Sequence, residues 1–412
     1  MILPKDGAGY MEVATNRLIQ NILRCYKSQL PAMPLKQLKA LDAITRCRTA
    51  AQGLSAYECD HEGRQTLIAH SCRHRSCAVC GDRQRRQWVE AQKRRLLDVP
   101  HFHCVFTLPH EYQGLWRYNQ KWFVSTFFDV VRSSLMDSLG NEKRHGITPG
   151  ILMAMHTWGR QLTLHPHIHC VVTGGGLDKQ GKWKDTGRFL LPGRQIRTLY
   201  RGRFQARIKE AFDAGELTLP PDQNMREFER RHRQTYTKAW CVKIEPQYAH
   251  GKGVLLYLSR YLRGGPIHPG QIRRCDSEGI GFIYKDHRDK RKKELTLEPR
   301  EFIRRLLQHV PESGQHMVRH YGLYAGACRD KRNRCREEMG GIVERAPEPG
   351  LSSSATLPVC RRCGHPLRLR WVQSARPRKA NSYRVEVQAG PVQPVDEPVG
   401  SEAKKTSSPL RL

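Results

Sequence analysis

The stretch LHPHIHCVVTGGG, residues 164–176, sets His165, His167 and His169 at alternate positions in an apolar run that ends in three glycines. Alternate side chains of an extended strand share one face, so the Cα atoms of His167 and His169 stand about 6.6 Å apart and their imidazoles can converge on one ion. His165 and His169 lie about twice as far apart, and Pro166 disturbs the strand between them, so a third ligand is expected from a neighbouring strand. His156 is the first choice, with His165, Gln161 and His103 behind it. The competing reading is a half-buried strand of hydrogen-bonded structural histidines.

A metal beside a nucleophile would suit phosphodiester chemistry, and GKGVLLYLSRYLRGG, residues 251–265, offers candidates. Tyr257 and Tyr261 are four apart on an expected helix, hence on one face with Cβ atoms about 6 Å from each other. Either could reach one phosphate. Y-x-x-x-Y alone is a weak signal, since tyrosines at helical spacing are usually core residues. Arg260 and Arg263 alter its weight: their charge would hold a nucleic-acid backbone and favour the phenolate over the phenol, whose reference pKa is about 10.

The chain has 14 cysteines, and two clusters stand out. Cys77 and Cys80 form a C-x-x-C knuckle ending in Gly81, with Cys72 and Cys59 upstream. These four are expected to close a tetrahedral structural Zn2+ site, holding a segment with few apolar residues of its own. His61, Glu62, His70 and His74 are spare candidates. GDRQRRQWVEAQKRRLLDV follows, an expected basic helix whose Arg83, Arg85 and Arg86 are candidate DNA contacts; a solvated outer face is the plain alternative. Cys360 and Cys363 in VCRRCGHPLRL make half a site, which Cys328 and Cys335 could complete.

The 412 residues carry 71 Lys+Arg against 39 Asp+Glu, a formal charge of +32. Such an excess points to a polyanionic partner, nucleic acid above all, because neutralising phosphates releases condensed counterions; a merely soluble basic surface or attraction to anionic lipid is the plain alternative. No stretch approaches the roughly 20 apolar residues of a membrane span, and MILPKDGAGY lacks the order of a secretion signal. A cytoplasmic location is therefore expected, where clustered thiols hold metal rather than pair as disulfides.

The elements that must position these groups read as an α+β architecture. HFHCVFTLP, ILMAMHTW and residues 167–173 read as strands, WCVKIEP as a shorter one, and residues 282–285 and 295–297 as two more. Helices are expected over residues 120–139, 202–214 and the tyrosine segment, which Gly264 caps, and from Pro299 onward. The expected division is a zinc-binding and basic-helix region over 1–98, a mixed α and β domain carrying the histidine and tyrosine motifs over 99–345, a possible zinc knuckle over 346–372 and a disordered basic tail over 373–412.

Taken together the motifs resemble the rolling-circle transposases of bacterial insertion sequences, specifically the insertion sequence ninety-one family, within the wider His-hydrophobe-His (HUH) endonucleases. CVFTLPHEY resembles the family's first strand motif, HTWGRQLTLHPHIHCVVTGGGL its metal motif and YLSRYLRGGPI its two-tyrosine motif. FIRRLLQHVPESGQHMVRHYGLYAG resembles the stretch that follows, and SCRHRSCAVC the N-terminal zinc segment. The resemblance implies a central antiparallel sheet with the His pair on an inner strand and the tyrosine helix packed alongside. It implies His167 and His169 as ligands of Mg2+ or Mn2+, and Tyr257 and Tyr261 as nucleophiles that form a 5′-phosphotyrosine with single-stranded DNA. Where family members often carry a paired C-x-x-C, this chain has Cys59-Asp60-His61-Glu62, so its zinc site must recruit Cys72 or a histidine. Two other readings share parts of this evidence: a rolling-circle plasmid replication initiator, and a non-catalytic zinc-dependent DNA-binding protein.

Overall fold

The computed structural model describes residues 11–249, 253, 265–286, 288–340 and 358–374, the first six of these as backbone alone. In chain order the elements begin with α1 (Met11–Tyr26), α2 (Leu35–Arg46), β1 (Gly53–Glu58), β2 (Gln65–Ala69), α3 (Ala78–Arg95) and β3 (His101–Thr107). There follow α4 (Gln113–Tyr118), α5 (Gln120–Gly140), β4 (Thr148–Trp158), β5 (Leu164–Leu177), β6 (Trp183–Asp185), α6 (Gly193–Asp213), α7 (Met225–Thr237) and β7 (Val242–Ile244). After the tyrosine segment come β8 (Ile272–Asp276), β9 (Gly279–Lys285), β10 (Lys292–Leu297), α8 (Pro299–Leu307), β11 (Val318–Gly322), α9 (Arg329–Glu338) and β12 (Arg368–Ser374). The fold is a mixed α and β one with antiparallel sheets.

The central sheet runs β11-β4-β5-β3-β7, with β6 paired to β5. Its two faces follow from the alternation of side chains along each strand. Phe102, Cys104 and Phe106 of β3, Met153 and Met155 of β4, and Ile168, Cys170 and Val172 of β5 share a buried cluster with Phe123, Phe127 and Val131 of α5 and Tyr200, Phe204 and Ile208 of α6. That face is apolar and covered by helices. The intervening residues, among them His103, His156, His167 and His169, therefore lie on the other face. Part of that face is covered by Val89 of α3 and by Leu96, Leu97, Leu323, Tyr324 and Cys335, which pack on Leu152, Ala154 and Val171.

Strand β5 is longer than the expected 167–173, extending through Pro166 and all three glycines. Pro166 is accommodated because the β4/β5 register shifts between His156 and Trp158, so a residue without an N–H falls at an irregular pair. The glycines answer to close approach. A Cβ on Gly175 would meet the Trp183 ring at 2.6 Å, and one on Gly176 the Thr148 carbonyl carbon at 2.7 Å, so only hydrogen leaves room for β6 and β4.

The N-terminal helices do not stand apart from the remainder. Ile19, Ile22 and Leu23 of α1 and Ile44 of α2 share a core with Phe282 of β9, Leu297 of β10 and Phe302, Ile303 and Leu306 of α8. Besides the central sheet and the antiparallel sheet β10-β9-β8, a third antiparallel sheet, β12-β1-β2, joins residues near both ends of the described chain.

Candidate metal centres

Strand register brings three imidazoles together. His156 of β4 lies directly opposite His167 of β5, and His169 lies opposite Ala154, two residues before it. One ring nitrogen from each of His156, His167 and His169 lies within 4.8 Å of the others. Of the alternatives for a third donor, Gln161 turns away to donate from Nε2 to the Tyr284 hydroxyl at 2.9 Å. His165 supplies its carbonyl rather than its ring, accepting from Nδ1 of His167 at 2.7 Å. His103 sits behind the cluster, its Nε2 2.9 Å from Nδ1 of His169.

These contacts fix which nitrogens face inward. With Nδ1 of His167 donating to a carbonyl, its Nε2 keeps a lone pair for a ligand, and the same holds for His169 if its Nδ1 donates to His103. Burial lowers the pKa of all three: His167 to about 4, and His156 and His169 well below the usual imidazole range, with neighbouring histidines adding to the effect. All three are consequently neutral at pH 7, the form that binds a cation. A set of neutral imidazoles, with no carboxylate in the cluster among the described residues, fits a divalent ion and favours a transition metal over Mg2+.

The wall of the site is aromatic. Trp158 stacks on His156, with ring centroids 4.9 Å apart. The turn linking β4 and β5 is held by α8 and the residues after it: Leu162, at φ 59°, has its carbonyl clamped by Gln308 Nε2 at 2.9 Å and His309 Nε2 at 3.1 Å.

The four-thiol cluster differs from the expected one in a single member. Cys47, at the end of α2, stands with Cys72, Cys77 and Cys80, all Sγ atoms within 4.8 Å of one another. Cys72 and Cys80 are 3.7 Å apart, close to the roughly 3.8 Å edge of a tetrahedron with 2.3 Å Zn–S bonds. Backbone N–H groups of Cys72 and His74 each lie 3.4 Å from a cluster sulfur, on Cys47 and Cys72 respectively, as suits thiolates. Cys59 lies instead against Cys360 and Cys363. Nearness in sequence misled here: strand β1 carries Cys59 away from the knuckle, whereas α2 delivers Cys47 to it. Nor do Cys328 and Cys335 join Cys360 and Cys363, because Cys335 packs in the apolar cluster under β4. Of the spare candidates, His70 is engaged with Ser55 Oγ at 2.8 Å, Glu62 with Arg362 at 3.4 Å, and His61 stacks on His365.

On α3, Arg86 is largely exposed although it pairs with Asp82 at 2.8 Å; Arg83 is exposed and Arg85 half-buried against the same Asp82. Tyr257, Tyr261, Arg260 and Arg263 lie outside the described residues. Their described flanks are anchored: Tyr248 exchanges backbone hydrogen bonds with His101 of β3, and a Cβ on Gly265, at φ 92°, would meet the carbonyl oxygen of Ser76, beside Cys77, at 3.2 Å.

Comparison with known proteins supports a zinc-binding module in a transposase chain. Residues 16–108 match a family described as a transposase zinc-binding domain, and residues 150–332 one described as a putative transposase. A protein named putative transposase y4qJ from Sinorhizobium fredii is 33% identical over 326 residues, spanning 77% of this chain and 82% of that one. The transposase for insertion sequence element IS801 from Pseudomonas savastanoi pv. phaseolicola is 29% identical over 327 residues, 76% and 77% of the two chains. The chain belongs to the transposases of the insertion sequence ninety-one family. No solved structure matches it. Among the described residues no helix is long and apolar enough to cross a membrane.

Proposed function

We propose that the protein is a His-hydrophobe-His transposase that nicks single-stranded DNA at the ends of its element and transfers the strand by rolling-circle transposition. The observation that carries this reading is the convergence of His156, His167 and His169 on one point of an antiparallel sheet, in a chain of transposase lineage.

In this proposal the three imidazoles hold a divalent cation, Mn2+ or Mg2+, which when bound neutralises charge on a phosphate oxygen. The phenolate of Tyr257 or Tyr261 attacks phosphorus in line; the bond to the 3′-oxygen breaks, and that oxygen leaves as a hydroxyl after taking a proton. A 5′-phosphotyrosine remains. Its phosphoester energy is conserved, so a 3′-hydroxyl of another strand can later displace the tyrosine without ATP. Two tyrosines four apart in sequence allow a second cleavage while the first strand end is still held. Arg260 and Arg263 are assigned to the backbone phosphates around the cut, and Arg83, Arg85 and Arg86 to duplex or strand flanking it. The high positive charge suits this partner.

The test is cleavage of a labelled single-stranded element end by the purified protein with Mn2+, with and without chelator. Cleavage that survives both chelation and His167→Ala would refute the assignment of the cluster.

A further inference from the structure

Cys59, Cys360 and Cys363 come from segments about 300 residues apart, yet Sγ of Cys59 lies 3.4 Å from Sγ of Cys363, and all three sulfurs lie within 4.8 Å of one another. The loops that carry them are built alike. Cys59 N–H donates to the Arg64 carbonyl at 3.0 Å and Gly63 N–H to the Cys59 carbonyl at 2.7 Å; Cys360 N–H donates to the His365 carbonyl at 2.8 Å and Gly364 N–H to the Cys360 carbonyl at 2.9 Å. Each loop closes on a glycine in the left-handed region, Gly63 at φ 60° and Gly364 at φ 74°. Both loops are thus turns of the form Cys-x-x-x-Gly, facing each other across the β1/β12 pair. In the first turn the position of the second thiol holds Glu62, which is engaged with Arg362.

Two imidazoles stand beside the sulfurs. His61 and His365 stack with centroids 4.7 Å apart, and each has a ring nitrogen within 4.8 Å of Cys363 Sγ. Apolar packing around the three thiols is slight: among the described residues Leu367 is the only other buried member of the cluster, and every residue of β12 is exposed. A short strand with so little core of its own needs another source of cohesion.

We propose that Cys59, Cys360 and Cys363, with one imidazole of the His61/His365 pair, form a second structural zinc site, separate from the four-thiol centre and from the imidazole cluster on the central sheet. Three thiolates and a neutral imidazole satisfy a tetrahedral ion, and the site fastens residues 358–374 to the zinc module near the other end of the chain. This reading does not depend on the nicking chemistry.

Cobalt substitution of the full-length protein tests it, because thiolate-to-metal charge-transfer absorption reports sulfur ligands and ignores the imidazole cluster. Loaded wild type should show absorption from seven thiolates, four in one centre and three in the other. Cys360→Ser combined with Cys363→Ser should lower it to that of the four-thiol centre. His61→Ala with His365→Ala should shift the visible bands while most of the charge-transfer intensity stays. Should the double cysteine variant fail to fold, alkylation of the wild type decides: the part-exposed Cys363 should react only after chelation. Wild-type absorption equal to that of four thiolates, alkylation of Cys363 in the metal-loaded protein, or a Cys59–Cys363 disulfide in freshly purified material would each overturn the proposal.

Discussion

Nε2 of His103 on β3 lies 2.9 Å from Nδ1 of His169 on β5, while Nδ1 of His167 lies 2.7 Å from the His165 carbonyl. Each member of the strand's His pair is thus oriented through the nitrogen that faces away from the cluster. Loss of such a supporting contact typically weakens metal affinity about 10- to 100-fold. His103→Ala should weaken Mn2+ binding by that order in calorimetric titration, and His103→Gln, which can still accept from His169, should recover part of it. Unchanged affinity in His103→Ala would mean that His169 is oriented by something else.

The glycines that end β5 are needed for strand approach. Gly176→Ala forces a Cβ against the Thr148 carbonyl group, backbone that cannot swing aside. Overpacking of this kind costs typically 1–3 kcal/mol, so the urea midpoint should fall accordingly. Gly193→Ala, where an added Cβ meets nothing within 4 Å, is the control and should leave the midpoint nearly unchanged.

His309 makes stability depend on pH in a defined direction. Burial, then the nearby Arg304 charge, hold its pKa down at about 4, against the ordinary value of 6.5, while its Nε2 contact with the Leu162 carbonyl opposes the shift. A histidine whose folded pKa is depressed contributes no penalty above pH 6.5; below it the unfolded chain takes up a proton that the folded chain refuses, so stability is lost between about pH 6.5 and 4. The lowered value corresponds to about 3 kcal/mol at the acid end of that window. Melting temperature should therefore fall on acidification through this range, and His309→Gln should flatten part of the fall. An identical pH profile in the variant would contradict the linkage.

Cys47 separates the two thiol clusters experimentally. Cys47→Ser should strip zinc from the four-thiol centre and expose the α2–α3 region to proteolysis, since structural zinc sites supply folding energy directly. Cys59→Ser should leave that centre loaded. Zinc loss from the four-thiol centre in Cys59→Ser but not in Cys47→Ser would reverse the assignment.

Much of this architecture is written in local patterns. Alternating residues in HFHCVFT and HPHIHCVV mark strands whose two faces differ, and the same alternation groups the histidines. Which strand supplies the third imidazole is also legible, since His156 ends an apolar run of strand character. Long-range partners are less so. Cys47 lies between Arg46 and Arg48 with no second thiol nearby, and only the path of α2 brings it to Cys72. Likewise nothing local announces that β12 pairs with β1, because that pairing depends on chain closure across most of the sequence. Strands β2 and β12 bury no side chain, so no core-facing pattern marks them as it marks the inner strands.

The proposal as a whole rests on a phenol meeting phosphorus beside the imidazole cluster. The most direct measurement is capture of the covalent adduct: incubate the protein with a labelled single-stranded element end and Mn2+, resolve it under denaturing conditions, and locate the modified residue by peptide mass. The account predicts DNA attached through its 5′-phosphate to Tyr257 or Tyr261, lost on chelation, in His167→Ala, and in Tyr257→Phe combined with Tyr261→Phe. An adduct of undiminished yield in that double tyrosine variant, or one mapped to another residue, would contradict it.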